Sequence, residues 1–362
     1  MADAKTKTPV IIDLAERLIS DIEARNLQSG DRYLTTAAAS KMLGVGNGVA
    51  NRALQLLERR QIITRQQRRG AFIANLPGDY PKPPLRRVHF LVHQNYLASE
   101  GVGNDMVLLG IQEELPGVHV QISFLPKESA EGFVADLIDQ SLTAKARDGF
   151  ILVRAPYEVH QLVSNSGVPA IVYGDCYPGI TRLSRFNRDM AAVGTVCADY
   201  LLSKGHNRIA FLCRQCSLPG DHDTMDAIRR RLGQEKMYAD SITERFLPAA
   251  TNVYEAEVIR LLKSSSPPSG FICRTQRMAD AVSAVAKKLK LKVGRDIDLI
   301  VCDYYLPSGG RSQYVYPRAA CTLEEQGQHL ARMLSSLARG AVVQDRIIPV
   351  ELDTSATKEK HE

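Results

Sequence analysis

Three arginines stand just beyond short apolar runs of the sequence, and their chemistry suits a negatively charged ligand. Arg154, Arg214 and Arg274 each follow, within two residues, a run that predicts a buried strand. A guanidinium can hold a carboxylate or a phosphate through two parallel hydrogen bonds. The arginines therefore predict an anion-binding site at the strand ends, with the alternative that some of them only link two parts of the fold.

A wider set of polar residues follows the same kind of predicted strand. Ligands of open α/β sheets bind in the crevice beyond the carboxyl ends of the strands. The candidate ligand contacts are His93, Asn95, Arg154, Asp175, Asp189, Arg214, Thr275, Gln276, Asp303 and Tyr304. Asp189 has a second interpretation, because an aspartate in front of a helical segment also caps the helix.

Catalytic and metal-binding patterns are weak in this sequence. Cys213 and Cys216 have redox or metal spacing, but no second pair accompanies them. The sequence contains no Gly-Lys-Ser/Thr phosphate loop, no Gly-x-Ser-x-Gly motif and no His-Glu-x-x-His motif. We therefore predict that the protein is not an enzyme and that it needs no metal or other cofactor.

A second candidate site lies near the N-terminus, where three predicted helices precede a small hairpin. The pattern indicates a short helix from about Thr35 to Leu43, a tight turn from Gly44 and a third helix from Gly46 to about Arg60. In a helix-turn-helix, the leading edge of such a third helix enters the major groove of DNA. Asparagine can bind adenine through two hydrogen bonds, and basic residues contact phosphates. The candidate DNA contacts are Thr35, Thr36, Gly46, Asn47, Gly48, Asn51, Arg52, Arg65, Arg68 and Arg69.

The distribution of charge agrees with a nucleic-acid partner at this end of the chain. Residues 1–75 hold 12 Lys and Arg against 7 Asp and Glu, whereas the rest of the chain holds 34 against 33. An excess of positive charge confined to one segment favours binding to a polyanion. A basic face that is merely solvated is the alternative.

The predicted elements indicate two kinds of domain. We expect an α+β winged helix-turn-helix in residues 1–75, a proline-rich linker in 76–87, a two-lobed α/β domain with parallel sheets in 88–355, and a tail in 356–362. The α/β part rests on seven apolar runs separated by helical stretches. These runs are Val88–Val92, Val118–Phe124, Gly149–Val153, Ala170–Tyr173, Arg208–Leu212, Gly270–Cys273 and Leu299–Cys302.

The N-terminal segment resembles the winged helix of the GntR family of regulators. The resemblance rests on NLQSGDRYL, on ASKMLGVGNGVANRALQLLERRQIITR and on RRGAFIA. It departs at the start of helix three, where the family's hydroxyl residues are replaced by Gly46 and Gly48 and its arginines by Asn47 and Asn51. These departures raise the alternative that the segment persists as a scaffold that no longer binds DNA.

The remainder resembles the effector domain of the LacI/GalR family, which has the periplasmic-binding-protein fold. The resemblance rests mainly on DMAAVGTVCADYLLSKGHNRIAFL, on VGRDIDLIVCDYY and on YPRAACTLEEQGQHLARMLSSL. It implies a small-molecule effector between the lobes, with a sugar or sugar derivative as the family's usual ligand. Thr275 and Gln276 stand where sugar-responsive relatives have Asn-Asp, which weakens the case for a simple sugar and leaves an anionic ligand open.

Together these patterns predict a ligand-responsive transcriptional regulator, most plainly a repressor. Its partners would be a double-stranded DNA operator, a small-molecule effector and a second copy of the chain in a homodimer. No uninterrupted apolar stretch of about 18 residues predicts a membrane span, and the N-terminus does not resemble a signal peptide. Seven cysteines without a disulfide framework fit a cytoplasmic location. The alternative function is a ligand-binding or interaction protein with a degenerate winged helix.

Overall fold

The N-terminal part consists of three helices and a two-stranded hairpin. The computed structural model describes residues 11–59, 62–66, 70–74, 85–93, 105–143, 148–234, 242–304 and 312–358. The first elements are helices α1 (Ile11–Ala24), α2 (Thr36–Leu43) and α3 (Asn47–Arg59) and strands β1 (Ile63–Gln66) and β2 (Gly70–Ile73). Their order is the one predicted, and helices α2 and α3 begin and end within about one residue of the expected positions.

The turn between α2 and α3 is built by local capping interactions. The hydroxyl of Thr35 accepts a hydrogen bond from the backbone N–H of Ala38 and so begins α2. Gly44 ends the helix in the left-handed conformation, with φ of +70°, and donates its N–H to the carbonyl of Ser40. Side chains with a Cβ rarely adopt this backbone conformation, so the glycine permits the tight turn that leads into α3.

A single hydrophobic core holds these N-terminal elements together. Its members all come from residues 11–73, and it includes the fully buried side chains of Leu14 and Leu18 in α1 and Leu57 in α3. The hairpin is tied to the segment before α2, because Tyr33 donates its backbone N–H to the carbonyl of Ala71 at 2.8 Å. The core thereby fixes which face of α3 points outward.

The C-terminal part alternates strands with helices; most of its strands are parallel, and β12 and β14 form a separate antiparallel pair. Its strands are β3 (Arg87–His93), β4 (His119–Leu125), β5 (Asp148–Val153), β6 (Ala170–Tyr173), β7 (Ser184–Arg188), β8 (Ile209–Arg214), β9 (Ile242–Leu247), β10 (Gly270–Thr275), β11 (Asp298–Asp303), β12 (Tyr316–Ala319), β13 (Arg346–Ile348) and β14 (Val350–Asp353). Its helices are α4 (Asp105–Glu114), α5 (Ala130–Thr143), α6 (Tyr157–Ser166), α7 (Met190–Ser203), α8 (Pro219–Gln234), α9 (Thr251–Leu262), α10 (Gln276–Lys288), α11 (Leu323–Ala338) and α12 (Ser355–Lys358).

Two parallel sheets form two lobes. The first has the order β4-β3-β5-β6-β7-β13, with α4 and α11 packed on one face and α5 and α6 on the other. The second has the order β9-β8-β10-β11, with α7 and α8 on one face and α9 and α10 on the other. Helices on both faces bury the near-continuous apolar strands, as the sequence predicts. The chain leaves the first lobe after β7 and returns to it at α11 and β13, so the lobes share several connecting segments.

The structure adds elements that the apolar runs do not reveal. Strands β7 and β9 and helix α6 lack a predicted counterpart, because their sequences alternate polar and apolar residues too briefly to stand out. Leu85 is fully buried in the first lobe and β3 begins at Arg87, so the end of the predicted linker packs as part of that lobe. Among the described helices, none is both long and apolar enough to cross a bilayer.

Candidate functional site

The ends of the parallel strands from both lobes converge on one cleft. Five charged or polar residues occupy the last position of a strand or the position next to it. They are Arg154 after β5, Tyr173 in β6, Arg188 in β7, Arg214 in β8 and Asp303 in β11. All five line a cavity of about 110 Å³ between the lobes. This is the crevice in which open α/β sheets bind ligands.

Asp303 is the centre of the charged groups in this cleft. Its carboxylate is within ion-pair distance of four guanidiniums, at 3.3 Å from Arg154, 3.1 Å from Arg214 and 2.6 Å from Arg274, and in a closer contact with Arg188. Burial alone would raise the pKa of Asp303, but the four arginines hold it well below the usual range. Asp303 is therefore a buried carboxylate that stays ionised at any physiological pH.

The ion pairs cross the boundary between the lobes. Arg154 and Arg188 belong to the first lobe, whereas Asp303 belongs to the second. Arg188 also donates to the carbonyls of Cys302 at 3.0 Å and Pro317 at 3.1 Å. Arg188, which sequence analysis did not identify, thus links the two lobes near their connecting segments. Arg154, for which sequence analysis left a linking role open, also pairs with Asp303 across the boundary.

A second carboxylate supports the arginines of the second lobe from behind. Asp221, near the start of α8, accepts a hydrogen bond from Nε of Arg274 and lies 3.7 Å from Nε of Arg214. Burial would raise the pKa of Asp221, but these two guanidiniums and the backbone N–H of Leu218 lower it. The pair of carboxylates fixes the orientation of two arginine side chains at the cleft.

Asp175 lines the same cavity but is held at its rim by other partners. Its carboxylate accepts hydrogen bonds from Arg185 at 2.8 Å and from Asn187 at 2.6 Å. Of the predicted ligand contacts, the structure thus brings Arg154, Asp175, Arg214 and Asp303 together around one cavity.

The remaining predicted contacts have other positions. Tyr304 lines a neighbouring cavity of about 220 Å³. Asp189 and Thr275 cap helices α7 and α10, accepting hydrogen bonds from the backbone N–H groups of Ala192 and Met278. Within the described part of the chain, none of His93, Asp189, Thr275 and Gln276 lines either cavity. Asn95 lies outside the described residues.

His160 in α6 is a cleft residue that sequence analysis did not identify. Its side chain is buried, lines the cavity and packs edge-on against the ring of Tyr177 at a centroid distance of 5.1 Å. Burial lowers the pKa of His160 to about 4, so the imidazole is neutral at neutral pH. No apolar run or motif marks this position, because α6 itself was not predicted.

The neutral state of His160 predicts a pH dependence of stability. The pKa is about 4 in the folded protein and about 6.5 in the unfolded chain, so the unfolded chain binds an extra proton between these values. The contribution of the neutral imidazole to the free energy of unfolding is therefore fully present above pH 6.5 and decreases as the pH falls below that value. Between pH 7.5 and pH 5 we expect the free energy of unfolding of the wild type to fall by about 2 kcal/mol more than that of a His160→Leu variant. Urea denaturation at the two pH values measures this difference. An equal fall in the free energy of unfolding for both proteins would contradict a buried neutral imidazole.

The N-terminal part presents a separate candidate surface along α3. Gly46, Asn47, Gly48 and Arg52 are exposed, and Asn51 is half-buried. Thr35, at the start of α2, is exposed, Thr36 is half-buried, and Arg65 is exposed on β1. Thr35, Thr36 and Arg65 line one groove beside the hairpin. Arg68 and Arg69 lie outside the described residues.

Comparisons with known proteins support the fold of the two lobes. Residues 198–355 match the model of the periplasmic binding protein-like domain. A regulatory protein of the LacI family from Chloroflexus aggregans superposes with a TM-score of 0.64 at 16% identity, covering 75% of this chain and 98% of that one. A LacI family transcriptional regulator from Enterococcus faecium, solved with bound ribose, gives 0.61 at 16% identity, covering 74% and 97%. The transcription regulator CcpA of Lactococcus lactis gives 0.60 at 13% identity, covering 76% and 100%.

These matches show a two-lobed periplasmic-binding-protein-like fold for the C-terminal part of the chain. A search of curated proteins finds no match. The predicted LacI/GalR-type architecture is thus confirmed at the level of fold.

Proposed function

We propose that this protein is a ligand-responsive, DNA-binding transcriptional regulator of the non-enzymatic kind, and that it acts as a repressor. The observation that carries the proposal is the presence of two sites in one chain: a cleft lined by polar strand ends, and a capped turn that exposes the N-terminal edge of α3. Its structural neighbours are regulators of the LacI family, which supports the same function.

The N-terminal elements are proposed to be a GntR-type winged helix, in the domain of residues 1–75. Three helices followed by an antiparallel hairpin are the elements that this fold requires. The core buries one side of α3, which leaves Asn47 and Asn51 for base contacts and Arg52 for phosphate contacts. Residues 76–84 would link this domain to the lobes, whose packed core begins at Leu85.

The cleft between the lobes is the proposed effector site, and a homodimer is the proposed assembly. Sugars or sugar derivatives are the first ligand class, because one structural neighbour was solved with ribose. A dimer would place two α3 helices on a two-fold-symmetric operator, whose half-sites would be spaced by one or more helical turns of DNA. By thermodynamic linkage, the effector and the operator must then change each other's affinity by the same factor.

Selection from a pool of random duplexes by the purified full-length protein tests the DNA-binding part of the proposal. We expect an enriched sequence with two symmetric half-sites. Titration of that sequence with and without saturating ribose or ribose 5-phosphate tests the switch, and we expect at least one of them to change the affinity by about fivefold or more. Equal affinities in all three conditions would refute a switch operated by ribose or its phosphate.

The second candidate function is a ligand-binding protein whose winged helix no longer binds DNA. Gly46 and Gly48 favour it, because they leave the exposed edge of α3 without hydroxyl groups at two positions. A selection experiment that enriches no sequence would support this function over the first.

A further inference from the structure

The cleft has two compartments with different chemistry. The cavity lined by the arginines and a second cavity of about 220 Å³ share Tyr173, Arg188, Asp303 and Gln326 as lining residues. The two cavities are therefore adjacent parts of one cleft, and both are lined by the Arg188–Asp303 ion pair and by the hydrogen bond from Tyr173 to Gln326 at 2.9 Å. A single ligand of moderate size can contact both.

The first compartment has an excess of positive charge. Among the described residues that line it, the charged ones are four arginines and two aspartates, namely Arg154, Arg188, Arg214, Arg274, Asp175 and Asp303. Behind this lining, Arg185 adds one positive charge, and Asp221 and Asp345 add two negative charges, which leaves a net excess of one positive charge. Four guanidiniums share the single carboxylate of Asp303, so this compartment favours a ligand that brings a further negative charge.

The backbone at Arg154 supports a binding role for this compartment. Arg154 has φ of +53°, a left-handed conformation that costs a non-glycine residue about 1–3 kcal/mol and is common at ligand sites. This conformation directs the guanidinium across the cleft to Asp303. The chain thus holds a strained residue at the point where two lobes and four arginines meet.

The second compartment combines tyrosine rings and small apolar side chains with a few polar residues, among them Arg318 and Thr322. The ring of Tyr304 lies 5.0 Å from that of Tyr316, and both line the cavity together with Ala319, Cys321 and Leu323. Tyrosine faces pack well against flat rings, at offset or edge-on geometries. This compartment therefore suits a planar apolar group better than a polyhydroxylated one.

We propose that the effector is a planar ring that carries a carboxylate or phosphate group. The anion binds among Arg154, Arg214 and Arg274, and the ring packs against Tyr304. This inference rests on the proposed function in one respect, namely that the cleft is the effector site. Asp303 then acts as an internal anion that shares its arginines with the ligand, rather than as an acceptor for sugar hydroxyls.

Binding measurements on the full-length protein without DNA test this proposal. Phenyl phosphate is the probe, inorganic phosphate and phenol are its separate halves, and ribose represents a neutral sugar. We expect calorimetry to give a Kd for phenyl phosphate that is about tenfold or more below the values for both halves and for ribose. A Kd for phenyl phosphate no lower than that for inorganic phosphate or ribose overturns the proposal.

Two variants assign the contacts. Arg154→Asn removes the guanidinium while keeping a residue type that tolerates the left-handed backbone, and we expect it to weaken phenyl phosphate about tenfold with little effect on phenol. Arg260→Asn, an exposed arginine on α9, is the matched control. Equal effects of the two substitutions would refute an anion site at Arg154.

The Asp303→Asn variant distinguishes an anion-binding site from a site in which Asp303 accepts hydrogen bonds from sugar hydroxyl groups. Removing this competing carboxylate should strengthen phenyl phosphate binding about tenfold, whereas a site that uses Asp303 to accept hydroxyl groups would lose its ligand. If the Asp303 variant does not fold, the Arg154 comparison decides alone. These Kd values are measured without DNA. They therefore test the ligand-binding proposal even if the protein binds no operator, and a negative operator titration does not affect them.

Discussion

Replacing Arg274 with methionine is expected to destabilise the second lobe by about 3–5 kcal/mol. Arg274 is almost fully buried, and its guanidinium contacts both Asp221 and Asp303. Among the described residues, Asp221 would then keep the backbone N–H of Leu218 and the guanidinium of Arg214, whose Nε lies 3.7 Å away. A buried carboxylate that loses a close counter-charge carries most of its desolvation cost uncompensated, and methionine fills the space without supplying a charge.

Urea denaturation followed by circular dichroism measures this loss, since the chain contains no tryptophan to serve as a fluorescent probe. Arg260→Met is the matched control, because Arg260 is exposed and pairs with Glu257 on its own helix. We expect the control to unfold at the same urea concentration as the wild type. An equally small effect of Arg274→Met would contradict a buried ion network.

The double variant Arg274→Met/Asp221→Asn tests whether the loss of stability comes from the uncompensated charge of Asp221. If the cost of the single substitution comes from an uncompensated carboxylate, removing that carboxylate should recover a large part of it. A double variant that is simply less stable by the sum of two independent losses would show that packing, rather than charge, dominates at this position.

The sequence predicts the strands that carry this site better than it predicts the side chains that line it. Buried parallel strands have long apolar runs, so the strand ends that carry Arg154, Arg214 and Asp303 could be located without a structure. Arg188 could not, because the short strand Ser184–Arg188 alternates half-buried polar residues with one buried phenylalanine. His160 was not identified either, because its short helix has no clear apolar pattern in the sequence and its burial results from tertiary packing.

Polar residues that follow strands are the main source of ambiguity. Asp189 and Thr275 each stand between a strand and a helix and cap that helix, whereas Asp175 stands in the loop between β6 and β7 and lines the cleft. Capping requires an oxygen close to the first free backbone N–H groups, and ligand contact requires an oxygen facing the crevice. Which of the two a residue does depends on the element that follows it, and the short strand β7 after Asp175 was not predicted from the sequence.

The charge of Arg52 provides the sharpest test of the DNA-binding surface. Arg52 is exposed on α3, one residue after Asn51 and on the side of the helix opposite the core. We expect Arg52→Glu to weaken binding to the selected duplex about hundredfold at low salt, because it replaces a phosphate contact with repulsion. The slope of log affinity against log salt concentration should also become shallower by about 0.9 for the one lost phosphate contact.

Arg230→Glu is the matched control for this substitution. Arg230 is exposed on α8 in the second lobe, so the change in net charge is identical but lies far along the chain from α3.

Asn51→Ala tests base recognition separately. It should leave the salt slope unchanged while reducing the preference for the selected sequence by about 1–3 kcal/mol. If Arg52→Glu and Arg230→Glu weaken binding equally, only net charge matters, and α3 does not contact DNA. If Asn51→Ala leaves the preference intact while Arg52→Glu abolishes binding, then α3 contacts the phosphates and other residues read the bases.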